Sequence, residues 1–312
     1  YIARDRLTLR WSGTTLDSSL ADLRRAGIMT GMEDLHQGRG ISFAPFGLGK
    51  VETDFQTDHQ VWKGSGGFDA SYSLTPGLVG VLTVNTDFAE TEVDERQINL
   101  TRFPLFYPEK RTFFLEGSNQ FTFGSGTEEN FIAFYSRRVG LYSGQVSPID
   151  AGLKFIGRAG RWGIAALDVQ TRDSLAAPGT NLFAGRFTYD ADPHLRLGTI
   201  ITNGSPDGVS DNSLLGIDAH WSTSSFRGDK NLSAGAWFAK SMGDIPAGRT
   251  TGWGVNASYP NDLWDLYASF NEYGNALDPA LGFIPRPGTR QYEGGGAYQP
   301  RPQGGPFGWI RQ

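Results

Sequence analysis

The chain has 312 residues, with 28 Lys and Arg against 33 Asp and Glu, and a formal net charge of −5. This balance argues against nucleic-acid binding, which needs a basic patch. Cysteine is absent, which excludes a disulfide framework, a thiol nucleophile and a zinc–thiolate site. No apolar run approaches the roughly 18 residues of a membrane-spanning helix. The start at Tyr1, without an initiator Met, is expected of a fragment or a processed form.

Residues 1–39 have a different pattern from the rest of the chain. Apolar residues alternate over 7–11 and predict a short strand. The stretch 17–27 opens with Asp and closes with Gly, which predicts a short capped helix. We therefore expect 1–39 to be the end of a preceding domain and a linker, and 40–312 to form one β-barrel domain.

From residue 40 onward, apolar and polar residues alternate, which predicts β-strands with one apolar and one polar face. In 251–259, for example, Trp253, Val255 and Tyr259 share one face and Asn256 lies on the other. Strands are predicted near residues 40–50, 66–74, 78–86, 131–138, 149–157, 161–171, 181–190, 194–203, 214–223, 231–240, 251–259, 263–272 and 290–299. The alternation is weakest over 131–138. Strands of about ten residues, tilted by about 40°, span about 25 Å, the height of the apolar band of a membrane barrel.

The connections between these strands alternate in length. Tight turns are predicted at 75–77, 158–160, 191–193 and 260–262, and longer loops at 172–180, 204–213, 241–250 and 273–289. The connection at 224–230 is intermediate. Short turns at one end and long loops at the other are typical of outer-membrane barrels. The predicted fold is all-β: an antiparallel up-and-down transmembrane β-barrel, truncated or partial, with a long inserted segment at about 87–148.

A soluble sandwich or propeller would also show the alternation. Two features favour the barrel. The polar faces are rich in Gly, Ser, Thr and Asn, which suits a crowded aqueous lumen, and aromatic residues often end the apolar faces, as in interfacial girdles. The residues expected to face the lumen include Asp150, Lys154, Arg186, Arg196, Asp218, His220 and Asp265. Those expected to face outward include Leu195, Leu197, Ile217, Trp221, Val255 and Leu266.

The inserted segment combines acidic, basic and aromatic residues. Such a segment is too charged for a lipid-facing position, where one Arg or Lys costs about 2–4 kcal/mol, and too aromatic for disorder. We expect residues 87–124 to form a lumen or constriction element whose charges pair inside the barrel. The predicted network is Arg102, Glu109, Lys110, Arg111, Glu116, Arg137 and Arg138. An acidic patch is predicted at Asp87, Glu90, Glu92 and Asp94.

Several stretches resemble an uncharacterised bacterial family. They are NTDFAETEVDERQINLTRFPLFYPEKRTFFLEGSNQF (85–121), FYSRRVG (134–140), LGFIPR (281–286) and GIMTGMEDLHQGRGISFAPF (27–46). Members of that family join a carbohydrate-binding-module-family-9-like domain to a C-terminal outer-membrane β-barrel domain of unknown function. The resemblance covers essentially the whole chain and implies a truncated barrel, without an established activity or catalytic residues.

Three functions fit these observations. The first is an outer-membrane barrel that conducts or transports a polar solute, with a saccharide as one candidate. The second is a plugged barrel that anchors a periplasmic carbohydrate-binding-type domain or assembly. The third is a secreted β-rich carbohydrate-active enzyme, in which Glu109 and Glu116 would be paired carboxylates. We favour the first, without enzymatic activity, because an ion-pair network explains the same charges.

No cofactor and no metal site is predicted. The four histidines are far apart, and the acidic run matches no calcium-binding loop. The expected location is the bacterial outer membrane, and the expected partners are outer-membrane lipid, a polar or saccharide solute, and periplasmic or outer-membrane proteins, with no nucleic acid. Tyr267 and Trp237 lie on polar strand faces. They could stack on a sugar, although packing against the inserted segment is the favoured interpretation.

Overall fold

The computed structural model describes residues 40–54, 59–85, 103–125, 127, 130–175 and 177–300. The strand and helix predicted within 1–39 lie outside these residues. Arg102 and the acidic patch Asp87, Glu90, Glu92 and Asp94 also lie outside them. Among the described residues, no helix has the length and hydropathy needed to cross a membrane.

The fold is an antiparallel sheet of twelve strands with almost no helix. Its strands are β1 (Ile41–Asp54), β2 (His59–Thr75), β3 (Leu78–Val84), β6 (Ile149–Ala159), β7 (Trp162–Thr171), β8 (Asn181–Asp190), β9 (Leu195–Asn203), β10 (Asn212–Phe226), β11 (Lys230–Gly243), β12 (Thr251–Pro260), β13 (Trp264–Tyr273) and β14 (Arg290–Tyr298). Each strand pairs with its neighbours in chain order, which confirms the up-and-down arrangement. A separate hairpin, β4 (Leu141–Tyr142) and β5 (Gln145–Val146), lies within the inserted segment.

Each strand separates two kinds of side chain, as the alternation predicts. In β10, Leu214 and Ser222 are buried on the face that carries Asp218, whereas Leu215 and Ile217 are exposed on the opposite face. We call the face that contacts the inserted segment the inner face. The outer face exposes large apolar side chains on most strands: Ile41, Phe43, Tyr72, Leu82, Leu153, Phe187, Leu197, Ile201, Leu215, Ile217, Phe238, Trp253, Val255 and Leu266.

Short turns and long loops alternate along the sheet. The connection predicted as intermediate at 224–230 is a tight turn, because β10 extends to Phe226 and β11 begins at Lys230. Arg227 and Gly228 adopt positive φ angles of 52° and 106° in this turn. The short connections therefore lie at one end of the sheet, which we call the turn end. They join β2 to β3, β6 to β7, β8 to β9, β10 to β11 and β12 to β13.

The sheet is not closed among the described residues, since β1 and β14 each pair with one neighbour. Inner-face side chains from β3 to β13 nevertheless surround a single segment of chain, which requires the sheet to curve around it. The short helix Thr112–Leu115 and the 3₁₀ turns Ser118–Phe121 and Ser136–Arg138 belong to that segment.

Three details differ from the sequence prediction. Residues 131–138 form no strand; Ile132 makes one isolated bridge to Phe283, and the chain then enters a 3₁₀ turn. The strand predicted at 149–157 is irregular at its start, where a β-bulge lies between Ile149 and Ala151 and Ile149 is buried. Asp150, which we expected to face the lumen, lies in this bulge, is half-exposed and pairs with Arg172.

Candidate functional site

Arg111 lies at the centre of the described part of the inserted segment. Its guanidinium forms a forked ion pair with Glu109, Nε to Oε1 at 2.9 Å and Nη2 to Oε2 at 2.8 Å. It also donates to the backbone carbonyls of Val139 at 2.7 Å and Ser136 at 2.8 Å, and it lies 4.0 Å from the ring centroid of Phe114. Arg111 therefore joins residues 109–114 of the segment to residues 136–139 through a planar fork that Lys lacks.

Glu109 accepts hydrogen bonds from several groups around Arg111. Besides Arg111, it accepts a hydrogen bond from the Ser136 hydroxyl at 2.6 Å and from the backbone N–H of Lys110 at 3.0 Å. Burial alone would raise the pKa of Glu109, but the hydrogen bonds and charge of Arg111, with the Ser136 hydroxyl, outweigh burial and hold the pKa below its usual range. The carboxylate is therefore charged at neutral pH. We call Glu109, Arg111, Ser136 and Val139 the segment knot.

The aromatic residues of the segment pack against apolar parts of the inner face. Near β6–β8, one cluster contains Phe113, Phe114, Phe121, Val139, Leu167, Val169 and Leu182. A second, near β9–β13, contains Phe123, Phe131, Ile200, Leu214, Trp237 and Tyr273. The Trp237 ring stacks on Phe131 at a centroid separation of 5.1 Å and donates its N–H to Asn271. The inner face is thus apolar in two patches, and the aromatic residues of the segment pack against both.

Lys154 is a buried cation that holds the middle of the segment. Its ammonium donates to the backbone carbonyls of Phe113 and Glu116, the latter at 2.8 Å. The Glu116 carboxylate lies 3.8 Å from the ammonium but is itself largely exposed. Glu116 therefore contributes more through its backbone than through its charge, and it is not part of the segment knot.

A second contact joins β8, β10 and the segment. Arg186 and Asp218 form a forked ion pair, with Nη1–Oδ1 at 2.6 Å and Nη2–Oδ2 at 2.8 Å, which we call the wall ion pair. Arg186 Nε donates to the carbonyl of Thr122 at 2.9 Å, and the N–H of Gly124 donates to Asp218 at 3.3 Å. The pair meets across β9 because Gly198 has no side chain there: a Cβ would lie 2.5 Å from Asp218 Oδ1.

The remaining predicted network residues, Lys110, Arg137 and Arg138, lie beside the segment knot. Arg137 is buried and donates to the carbonyl of Pro108 at 3.3 Å, and Arg138 donates to the carbonyl of Gly282 at 3.3 Å. Lys110 is half-buried beside Glu109. The arginines thus bind backbone oxygens, and a search for opposite charges in the sequence does not reveal such partners.

Sequence reasoning missed a further charged group at the turn end. Asp190 accepts from Arg196 Nε at 2.8 Å and also pairs with Arg158. Asp190 lies on the inner face of β8, Arg196 on that of β9 and Arg158 on that of β6. The alternation in each strand predicts which face each residue lies on, but the sequence does not indicate that the three strands bring these side chains together. Within the described residues, no group of three His, Cys, Asp or Glu side chains could hold a metal ion.

A family model described as a domain of unknown function (DUF5916) matches residues 39–151, from the start of β1 through the inserted segment into β6. The curated proteins compared with the chain give no match.

Solved structures similar to the chain include OmpT of Vibrio cholerae, an outer-membrane protein, at 12% identity and a TM-score of 0.32, covering 85% of this chain and 99% of that chain. A loop L8 deletion mutant of the same OmpT matches at 13% identity and a TM-score of 0.30, covering 83% of this chain and 98% of that chain.

Proposed function

We propose that this chain is a bacterial outer-membrane β-barrel whose inserted segment narrows a passage for a small polar solute. The observation that carries the proposal is the outer face. Trp253, Phe270 and Tyr292 form a row of rings near the loop end, with neighbouring centroids 4.9 Å apart. Trp264 and Tyr298 form a contact at the turn end, at 4.6 Å.

Between these two rows the outer face is aliphatic. Val255 and Ala257 lie between Trp253 and Tyr259 on β12, which places the two aromatic positions about 20 Å apart at a rise of about 3.4 Å per residue. Soluble proteins rarely expose a contiguous apolar surface of this extent. An apolar band of about 25 Å between aromatic girdles is the lipid-facing surface of an outer-membrane barrel. Outer-membrane lipid is the partner that this surface fits.

The inner face supports restricted passage and not an open pore. Lys154 and the wall ion pair hold the segment against the inner face, and the segment knot fixes the conformation of the segment. The charged group at Asp190 lies at the turn end. Charges in such positions are stabilised by partners or by water. A passage that contains water beside a fixed segment leaves each of these charges either paired or hydrated.

The same contacts support a role without catalysis. A glycoside hydrolase of the two-carboxylate type needs a general acid whose pKa is raised. The pKa of Glu109 is lowered, and its oxygens are occupied by Arg111 and Ser136. Glu109 is therefore suited to an ion pair and unsuited to donating a proton.

The plugged-barrel alternative has its own support in the aromatic packing. The rings of Phe123, Phe131 and Trp237 fill the inner face near β9–β13, where a fully open channel would need space. In this reading the sheet anchors other periplasmic or outer-membrane components and conducts nothing.

Conductance distinguishes the two. The full chain, folded in detergent and inserted into planar bilayers, is compared with its Arg111→Ala variant. Passage beside the segment predicts small wild-type channels and a larger leak in the variant. Silent membranes for both proteins, with insertion verified by protease protection, would refute conduction and favour the anchor. A folded monomer that stays in solution without detergent would refute the barrel itself.

A further inference from the structure

The two inner-face aromatics singled out in the sequence have different environments. Trp237 is buried and serves the packing of the segment, through Phe131 and Asn271. Tyr267 is 48% exposed, although it lies on the inner face of β13. Its cross-strand partner is Gly295 on β14, and a Cβ at Gly295 would lie 2.7–2.9 Å from the tyrosine ring and hydroxyl. The ring therefore rests over a glycine, and no described aromatic ring stacks on it.

Tyr267 borders a polar pocket of about 230 Å³ on the inner face. The strands β12–β14 contribute Asn256, Ser258, Ser269 and Glu293, and the inserted segment contributes Thr127 and Asn130. Asn256 donates its amide to Ser125 at 3.0 Å, while its buried Oδ1 accepts no hydrogen bond from the described residues. A turn of that amide toward the pocket would let a ligand hydroxyl satisfy it.

The composition of this pocket limits its ligand. Amide, hydroxyl and carboxylate groups can donate to and accept from alcohol groups, which are themselves both donors and acceptors. The lining contains one carboxylate and no basic residue, which disfavours an anion. A metal cation would need more anionic oxygens than the single carboxylate of this lining supplies. The larger cavity, about 450 Å³, is lined mainly by phenyl rings of the segment and offers few polar groups.

The size of the pocket points the same way. It is smaller than the roughly 300–1,000 Å³ typical of drug-sized ligands, so it suits a single ring-sized unit. A ligand with a flat apolar face and several hydroxyls at its edge would use the ring of Tyr267 and the surrounding polar groups together.

From this arrangement we propose that the pocket at Tyr267 is a binding subsite for a neutral saccharide, with the tyrosine ring as its stacking platform. The proposal rests on the function proposed above, in that it names the class of solute that passes the segment. Glu293 and Asn130 bind hydroxyl groups at the edge of the sugar ring, and Ser258 and Ser269 complete the polar lining. Because Asn130 belongs to the inserted segment and Glu293 to β14, the subsite exists only when the segment is docked.

The test measures sugar binding and conductance on the same preparations of the full chain in detergent and in bilayers. Titration calorimetry with glucose and maltotriose gives affinities for the wild type and three variants. Tyr267→Ala should weaken binding about tenfold, equivalent to about 1.4 kcal/mol. Tyr267→Phe keeps the ring and should retain most of the affinity. Tyr292→Ala removes a more exposed tyrosine from the outer face of the adjacent strand and should leave the affinity unchanged.

The two measurements separate the two proposals. Conducting channels that bind neither sugar, or bind it equally well after Tyr267→Ala, would overturn the saccharide subsite and leave the conduction proposal intact. Silent membranes together with sugar binding that is lost in Tyr267→Ala would overturn conduction and support the subsite. Wild-type channels whose current maltotriose reduces, with no such reduction in Tyr267→Ala, would support both.

Discussion

Replacing Arg111 by Ala should release the inserted segment while leaving the sheet folded. The side chains of Arg111 and Glu109 are 1% and 9% exposed, so the substitution leaves a buried carboxylate without its cation. It also removes the donors to the carbonyls of Ser136 and Val139. Removing one partner of a buried ion pair costs about 3–5 kcal/mol. This corresponds to an increase of roughly two to three and a half powers of ten in the population of the open segment.

Hydrogen exchange in detergent measures that population directly. The amides of Tyr135, Arg138 and Val139 form backbone hydrogen bonds within and around the segment, and their protection should fall by the stated factor. Amides of the central strands should keep theirs. Arg111→Lys retains the charge without the fork and should give an intermediate loss. The double variant Arg111→Met with Glu109→Gln removes both charges and should be less damaged than Arg111→Ala.

Two results would refute this reasoning. Unchanged protection of the segment in Arg111→Ala would show that the aromatic clusters, Lys154 and the wall ion pair hold it without the knot. Loss of protection throughout the sheet would show that the segment and the sheet unfold as one unit.

Three further predictions follow from the same geometry. Gly198→Ala should separate the wall ion pair and lower the free energy of unfolding, measured by chemical denaturation, by about 1.5–3 kcal/mol. The control Gly47→Ala, whose Cβ meets nothing within 4 Å, should be nearly neutral. Equal effects of the two substitutions would contradict the role of the wall ion pair. Ile217→Arg should make folding into lipid vesicles less favourable by about 2–4 kcal/mol, because the outer face proposed to contact lipid would then carry a charge. His220→Arg, on the inner face of the same strand, should not have this effect. A larger loss for His220→Arg than for Ile217→Arg would contradict the assigned faces. Because the pKa of Glu109 is lowered in the folded segment, its contribution to the stability of the segment is fully present above the ordinary value of 4.5 and is lost as pH falls through the lower folded value. The protease sensitivity of the segment should therefore rise in this acidic range. Glu109→Gln should remove that pH dependence.

Much of the sheet can be predicted from the sequence because its two faces differ in the side chains they carry, so that residues alternate along each strand. Residues 131–138 alternate in the same way but do not form a strand. Phe131 and Ala133 alternate with less buried residues as in a strand, but they pack within the second cluster and pair with no strand. The bulge at Ile149 inverts the facing of one residue, and period-two analysis has no means of locating a bulge.

The candidate site is less accessible to sequence reasoning. The sequence shows that Glu109 and Arg111 are close in the chain and that their charges need partners. It does not show that Arg111 also binds the carbonyls of Ser136 and Val139, because a backbone oxygen has no sequence signature. The contribution of Gly198 is equally hidden, since a glycine in a strand becomes informative only when the side chains on either side of it are placed.

The contacts of the inserted segment fall into two groups with different consequences. The segment knot joins residues of the segment to one another, so its loss changes the conformation of the segment itself. Lys154 and the wall ion pair instead join the sheet to backbone groups of the segment. If water replaces the segment on the inner face, those wall charges can be solvated, whereas the two apolar patches of the sheet lose their packing partners. The segment, by contrast, cannot keep Glu109 and Arg111 buried unless its own fold persists. Displacement of an intact segment exposes the apolar patches but keeps the segment knot, whereas unfolding of the segment exposes them and breaks the knot as well. Displacement is therefore the less costly route to widening the passage proposed above.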